Sequence, residues 1–190
     1  NAGRWSEIRK LHVPEEDVEA AVLEIFNGFS ITDYLDIGTG TGRLLELMGP
    51  GVEHATGVDL SHEMLNMARS ALEKSGLENC QVRLGDMYDL PFEATSQDAV
   101  TLHQVLHYAD DPAAVIAEAA RVMRSTGRLV VIDFASHEEE SLRQDHAHRR
   151  LGFDDADIAA WFNQSDLQFD APVILEGDPL SVVLWSGTRS

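Results

Sequence analysis

Asp36, Gly38, Gly40 and Gly42 stand at alternate positions in the run Tyr34-Leu35-Asp36-Ile37-Gly38-Thr39-Gly40-Thr41-Gly42-Arg43. Glycine admits positive φ and lets a ligand approach the main chain. An apolar strand, a glycine turn and a helix in succession bring a nucleotide-like ligand to the carboxyl edge of an open α/β sheet. The helix entered at Gly42 is expected to offer free amides and a positive dipole end to an anion. A dinucleotide fingerprint reads G-x-G-x-x-G. Here the third glycine comes one residue early, and Arg43 stands where that pattern places glycine. Other nucleoside ligands, and a turn with no ligand, remain open on this stretch alone. Asp59 lies 23 residues beyond Asp36, one strand-helix-strand unit on, where a carboxylate can accept both ribose hydroxyls. Asp86 follows a third strand and could accept a base's exocyclic amine, with the Met87 amide donating to a ring nitrogen; the plainer reading is a turn aspartate. His103 and His107 flank the end of a fourth strand, and histidine is the natural base near neutral pH.

These groups need elements to hold them. Pro14 followed by Glu15, Glu16 and Asp17 starts a helix, and Val18, Val22, Ile25, Phe26 and Phe29 form its apolar stripe, with Gly28 near its end. Residues 1–29 are read as a helical segment that packs beside the first strand and lids the ligand; residues 30–190 are read as the binding domain. Ser61 caps a helix over 61–74. Leu60 and Met64 lie nearest the ligand on that helix, although helical Met and Leu are more often packing residues. Pro112 opens a further helix, and 154–163 forms another, with Ile158, Trp161 and Phe162 buried. Strands are expected over 34–37, 52–59, 81–84, 98–102, 129–134, 173–175 and 182–185. The run Leu129-Val130-Val131-Ile132-Asp133-Phe134 suits a parallel strand covered on both faces.

The pattern D-x-G-x-G-x-G resembles the first motif of class I S-adenosylmethionine (SAM)-dependent methyltransferases. Gly85-Asp86-Met87-Tyr88-Asp89-Leu90-Pro91-Phe92 matches a second recurrent block of these proteins. Together with Asp59, Asp98–His107 and Arg121–Phe134, the order and spacing resemble the ubiquinone/menaquinone-biosynthesis-like branch over about residues 30–135. One block departs from the usual R-V-L-x-P-G-G: it reads Arg121-Val122-Met123-Arg124-Ser125-Thr126-Gly127, which bears on turn shape rather than chemistry. The resemblance implies a Rossmann-like three-layer α/β sandwich. Its seven-stranded, mostly parallel sheet has the order 3-2-1-4-5-7-6 and one antiparallel strand near the edge.

The same resemblance implies SAM as methyl donor and S-adenosylhomocysteine as product. Cofactor contacts would then fall on Asp36, Gly38, Thr39, Gly40, Gly42, Asp59, Leu60, Met64, Asp86, Met87, His103 and Gln104. His107 and His103 become the candidate catalytic residues, each weighed against a solvated or structural histidine. In-line methyl transfer can draw about 7–11 kcal/mol from positioning alone, so a base is needed only where the acceptor must lose a proton early. Asp145, His146, His148 and His137 could be read as a metal site, but histidines two apart on a helix face apart, and no metal is expected. The stretches Trp5…Ile8-Arg9…Leu11-His12-Val13-Pro14 and His146…His148…Leu151-Gly152-Phe153 resemble fused regulators, in which an arsenical-repressor-type winged helix precedes a methyltransferase domain. A SAM-sensing module without turnover is the alternative to an enzyme; a nucleotide-dependent oxidoreductase is a third reading, disfavoured by the early glycine.

The chain has 190 residues and a formal net charge of −19. Its only lysines are Lys10 and Lys74. Phosphate neutralisation supplies the sequence-independent part of nucleic-acid affinity, so direct nucleic-acid contact is excluded and a small-molecule acceptor is expected. With Cys80 the only cysteine, no internal disulfide forms, which suits a cytoplasmic setting. No membrane span or leader is visible. The chain opens at Asn1, which leaves a longer natural protein open, and a homodimer is open as well.

Overall fold

A computed structural model of the chain describes residues 13–136 and 151–190. Helix α1 (Glu15–Phe26) follows Pro14 and carries three acids in its first turn, where the positive helix end favours them. It stops three residues short of Phe29, and Gly28 turns the chain at φ +84°. Strand β1 (Asp33–Ile37) runs through the glycine turn into α2 (Arg43–Met48). Strand β2 (His54–Asp59) leads to α3 (His62–Lys74), whose first turn is capped as expected by Ser61 Oγ, accepting from Met64 N at 3.2 Å. Strand β3 (Cys80–Leu84) precedes the Gly85–Phe92 loop, and β4 (Gln97–His103) precedes a 3₁₀ turn at Leu106–Tyr108. Helix α4 (Pro112–Val122) then feeds β5 (Met123–Phe134). The chain closes with α5 (Asp155–Gln164), β6 (Leu167–Phe169), β7 (Val173–Leu175) and β8 (Val182–Arg189).

The sheet order is β3-β2-β1-β4-β5-β8-β6, with β7 also on β8. Strands β1 to β5 are mutually parallel, and β8 runs antiparallel to all of its neighbours. The expected single antiparallel strand is therefore present, as the last strand inserted beside β5. One detail differs: eight strands occupy seven positions. Leu167 pairs with Arg189, and Leu175 pairs with Val182, so β6 and β7 follow one another along the same side of β8. Asp170-Ala171-Pro172 separates them, because proline has no N–H for the ladder.

Strand alternation sends side chains to two cores. Leu35, Ile37, Val100, Leu102, Leu129 and Val131 meet Val115, Ile116 and Ala119 of α4 and Ile158 and Phe162 of α5. On the other face Tyr34, Ala99, Val130, Ile132 and Phe134 meet Val18, Val22 and Phe26 of α1, Leu44 and Leu45 of α2, and Leu65 and Leu72 of α3. This is the expected three-layer sandwich. Helix α1 contacts β8, β7 and α2, toward the end of the sheet that β8 completes. The tips of β1, β2 and β4 lie side by side, with Asp36 level with Gly57 on one side and Thr101 on the other.

Candidate active site

The turn after β1 uses glycine at three left-handed positions, Gly38 at φ +70°, Gly40 at +56° and Gly42 at +84°. Beneath it Asp36 is 2% exposed. Thr39 Oγ1 donates to Asp36 Oδ2 at 2.8 Å, and Thr101 Oγ1 donates to Oδ1 at 2.7 Å. Thr101 has one hydroxyl proton and gives it to Asp36, so Tyr34 is the donor in the 2.6 Å contact between Tyr34 Oη and Thr101 Oγ1. Burial pushes the Asp36 carboxyl up from 3.8 to about 7, against the pull of the two hydroxyls. Burial also raises Tyr34 well above its ordinary value, which keeps it a neutral donor. Asp36 thus braces the turn from below. Thr39 leans on Gly57, where an added Cβ would lie 2.5 Å from Thr39 Oγ1.

The main chain of the turn departs from the expectation of free amides. Thr39 N donates to the Val58 carbonyl at 2.8 Å, Gly42 N to the Thr39 carbonyl at 2.9 Å, and Gly40 N to Asp59 Oδ2 at 2.9 Å. Strand β2 satisfies two of these donors and the turn itself the third, as buried backbone groups require. The entry amide at Gly42 is therefore not held out to an anion. What stays open is the surface over Gly40, where an added Cβ would meet nothing within 4 Å.

Asp59 stands at the tip of β2, as its spacing predicts. Its Oδ1 accepts from Ser61 N at 2.9 Å while Oδ2 holds Gly40 N. A carboxylate has about four lone-pair sites, so both oxygens keep capacity for a further donor. Leu60 beside it is 65% exposed, an apolar surface at the rim. Met64 is half-buried one turn into α3, and Met87 is half-buried against the core. Asp86 Oδ1 accepts from Tyr88 N at 2.9 Å, the turn-aspartate geometry, with its carboxylate at the tip of the neighbouring strand.

A cavity of about 190 Å³ opens on the other side of the turn. Helix α1 and the residue pair before it contribute Val13, Glu15, Val18 and Glu19; α2 and its approach contribute Thr41, Arg43 and Leu44. His103 and Gln104, Phe134 and Val182 complete the wall. Gln104 is 5% exposed and sits at φ +55°, a conformation costly for a residue with a Cβ. Its N–H donates to the Ile132 carbonyl at 2.7 Å, and its buried Oε1 has no hydrogen-bond partner. An unsatisfied buried acceptor is costly.

The two candidate histidines separate. His103 lines the cavity. His107 is 0% exposed and is not among the cavity-lining residues. Its Nδ1 lies 2.7 Å from Asp133 Oδ1, and its N–H donates to Asp133 Oδ2 at 3.2 Å. Oδ1 also accepts Phe134 N at 2.9 Å, so it is acceptor to both groups and His107 Nδ1 carries the proton. Asp133, not singled out from the sequence, is thus the orienting partner of His107. Its signal was an acid inside the otherwise apolar run 129–134. Glu19 was also missed: it grips Arg43 through two hydrogen bonds, Nε to Oε1 at 2.7 Å and Nη2 to Oε2 at 2.9 Å. Asp145, His146, His148 and His137, and the regulator-like residues 1–12, lie outside the described residues. Among the described residues no cluster of metal-ligand type is found.

The site's elements carry a family assignment. Residues 35–131, just over half of the chain, match the family described as methyltransferase domain, and the chain belongs to it. It is 33% identical to the uncharacterized methyltransferase YcgJ of Bacillus subtilis over 108 residues, which is 57% of this chain and 43% of that protein. It is 32% identical to a demethylmenaquinone methyltransferase of Listeria welshimeri over 128 residues, 65% of this chain and 52% of that one. The match therefore spans about half the length of these relatives. The fold agrees with the crystal structure of YcgJ at a TM-score of 0.78 and 21% identity, covering 92% of this chain and 99% of that one. A phosphoethanolamine N-methyltransferase of Haemonchus contortus, solved with S-adenosyl-L-methionine, shares the fold at a TM-score of 0.79 and 14% identity, covering 93% of this chain and 53% of that one.

Proposed function

We propose that this chain is the catalytic unit of a SAM-dependent methyltransferase acting on a small-molecule acceptor. The observation that carries the reading is the Asp59 carboxylate at the tip of β2, beside the open face of Gly40. The donor set fits a nucleoside with an amino-acid tail. Asp59 would hold the ribose hydroxyls, and Leu60, Met64, Asp86 and Met87 would flank the base. Gly38, Thr39, Gly40 and Gly42 shape the floor, braced by Asp36, while His103 and Gln104 wall the tail. Bound there, SAM supplies a methyl carbon made electrophilic by its sulfonium sulfur. The chain's own contribution is positioning and exclusion of water, worth about 7–11 kcal/mol when reacting atoms are aligned. His103 is the base candidate on the cavity; His107, locked by Asp133, orients the turn after β4.

Support for a small acceptor comes from the net charge of −19, which repels polyphosphate chains. No described helix is long and apolar enough to cross a membrane, and a lone free Cys80 fits a reducing cytoplasm. Titration calorimetry with SAM tests the donor: binding is expected, weakened about tenfold or more by Asp59→Ala. No heat and no thermal shift at millimolar SAM would overturn it. Incubation with methyl-labelled SAM and separate pools of dialysable metabolites, protein and RNA tests the acceptor. Label is expected in the metabolite pool, and label confined to protein or RNA refutes that part.

A further inference from the structure

Among the described residues Arg43 is the one guanidinium on the cavity wall, and Glu19 holds it bidentately, with side-chain exposures of 58% and 14%. Glu15 and Glu46 also act on Arg43 electrostatically. The usual alternative for an anion here, the amides of the glycine turn, is taken at Thr39, Gly40 and Gly42 by Val58, Asp59 and Thr39 itself. A carboxylate entering the cavity therefore meets two acidic walls and one cation that already has a carboxylate in its fork. Arg–carboxylate forks are geometrically specific, so two carboxylates compete for one set of donors.

We infer that Arg43 reads the α-carboxylate of the donor's amino-acid tail, and that Glu19 occupies that position in the ligand-free protein as its mimic. The inference rests on the SAM reading of the site and deepens it. Entry of the tail transfers the Arg43 fork from Glu19 to the ligand. It thereby releases α1 from α2, since the Glu19–Arg43 pair ties these two helices together across the cavity. Donor binding and the position of α1 are then coupled, and a nucleoside without the carboxylate leaves the tie in place.

The test compares SAM with decarboxylated SAM, which keeps the ammonium, sulfonium and nucleoside and lacks only the carboxylate. Their affinities are measured by titration calorimetry on the intact chain and on three variants. The wild-type preference for SAM is expected to fall about tenfold in Arg43→Ala. It is expected to fall nearly as far in Arg43→Lys, which keeps the charge and loses the fork. Glu19→Gln, which removes the competing carboxylate, is expected to raise the preference. Using the ratio of the two ligands cancels any general loosening of α1 that Glu19→Gln causes. An unchanged ratio in Arg43→Ala, or a wild-type ratio in Arg43→Lys, overturns the inference while leaving SAM binding standing. Failure of the wild type to bind either nucleoside overturns the SAM reading and this inference with it.

Discussion

Replacing Asp36 by asparagine should flatten the pH dependence of stability. Unfolded, the Asp36 carboxyl titrates near 3.8; folded, burial moves it to about 7. Between these values the native state holds a proton that the unfolded chain has released. Stability then falls as pH rises through the window, because the unfolded state binds fewer protons. Below it both states are protonated and the cost is absent; above it both are ionised and the cost is complete. A displacement from 3.8 to about 7 corresponds to about 4 kcal/mol, at about 1.4 kcal/mol per pH unit. Asparagine keeps one acceptor for a threonine hydroxyl and offers an N–H to the other, so the local bonding survives. Urea unfolding of the wild type and Asp36→Asn, at steps from about pH 4 to about pH 8, measures the difference. The remaining carboxylates titrate alike in both proteins and cancel. The wild type is expected to lose up to about 4 kcal/mol more than the variant across this range. Parallel curves would show that Asp36 is ionised at no cost, and would refute the burial that raises its carboxyl.

Two further outcomes follow from the same site. Gly38 sits at φ +70°, and an added Cβ would lie 2.5 Å from Val105 Cγ2; Gly38→Ala should cost about 2–3 kcal/mol in urea unfolding, and a second change, Val105→Ala, should recover the clash but leave about 1 kcal/mol of backbone strain. Asp133→Ala removes the acceptor of His107 Nδ1 and of two backbone N–H groups and should cost about 1–3 kcal/mol or more, whereas Asp133→Asn, which still accepts the Nδ1 proton, should cost distinctly less; equal losses in unfolding measurements would mean that the pairing contributes nothing.

Particular elements show how far sequence reasoning reached. The glycine turn, the cap at Ser61, the helix behind Pro112 and the strand tip at Asp59 each stand where pattern placed them. All depend on neighbours within a few residues. Asp36 was read as a ligand contact because it precedes the glycines, yet two threonines enclose it, one of them 65 residues away. The Gly42 amide was read as free because helix entries usually leave donors unpaired; the turn closes on its own Thr39 carbonyl. His103 and His107 looked alike in sequence. One lines the cavity and the other is sealed against Asp133, 26 residues away.

The α/β class, the strand–glycine turn–helix unit and the strand tip at Asp59 were legible in the sequence, because backbone conformation, periodicity and capping are local choices; the strand order came with the family resemblance. The tertiary structure alone decided that β6 and β7 share one side of β8, that α1 turns Glu19 onto Arg43, and that Asp133 takes His107 from the cavity. Each of these pairs residues far apart in the chain. Their meeting depends on which side chain a register and a helix rotation bring into reach, and no local preference specifies that.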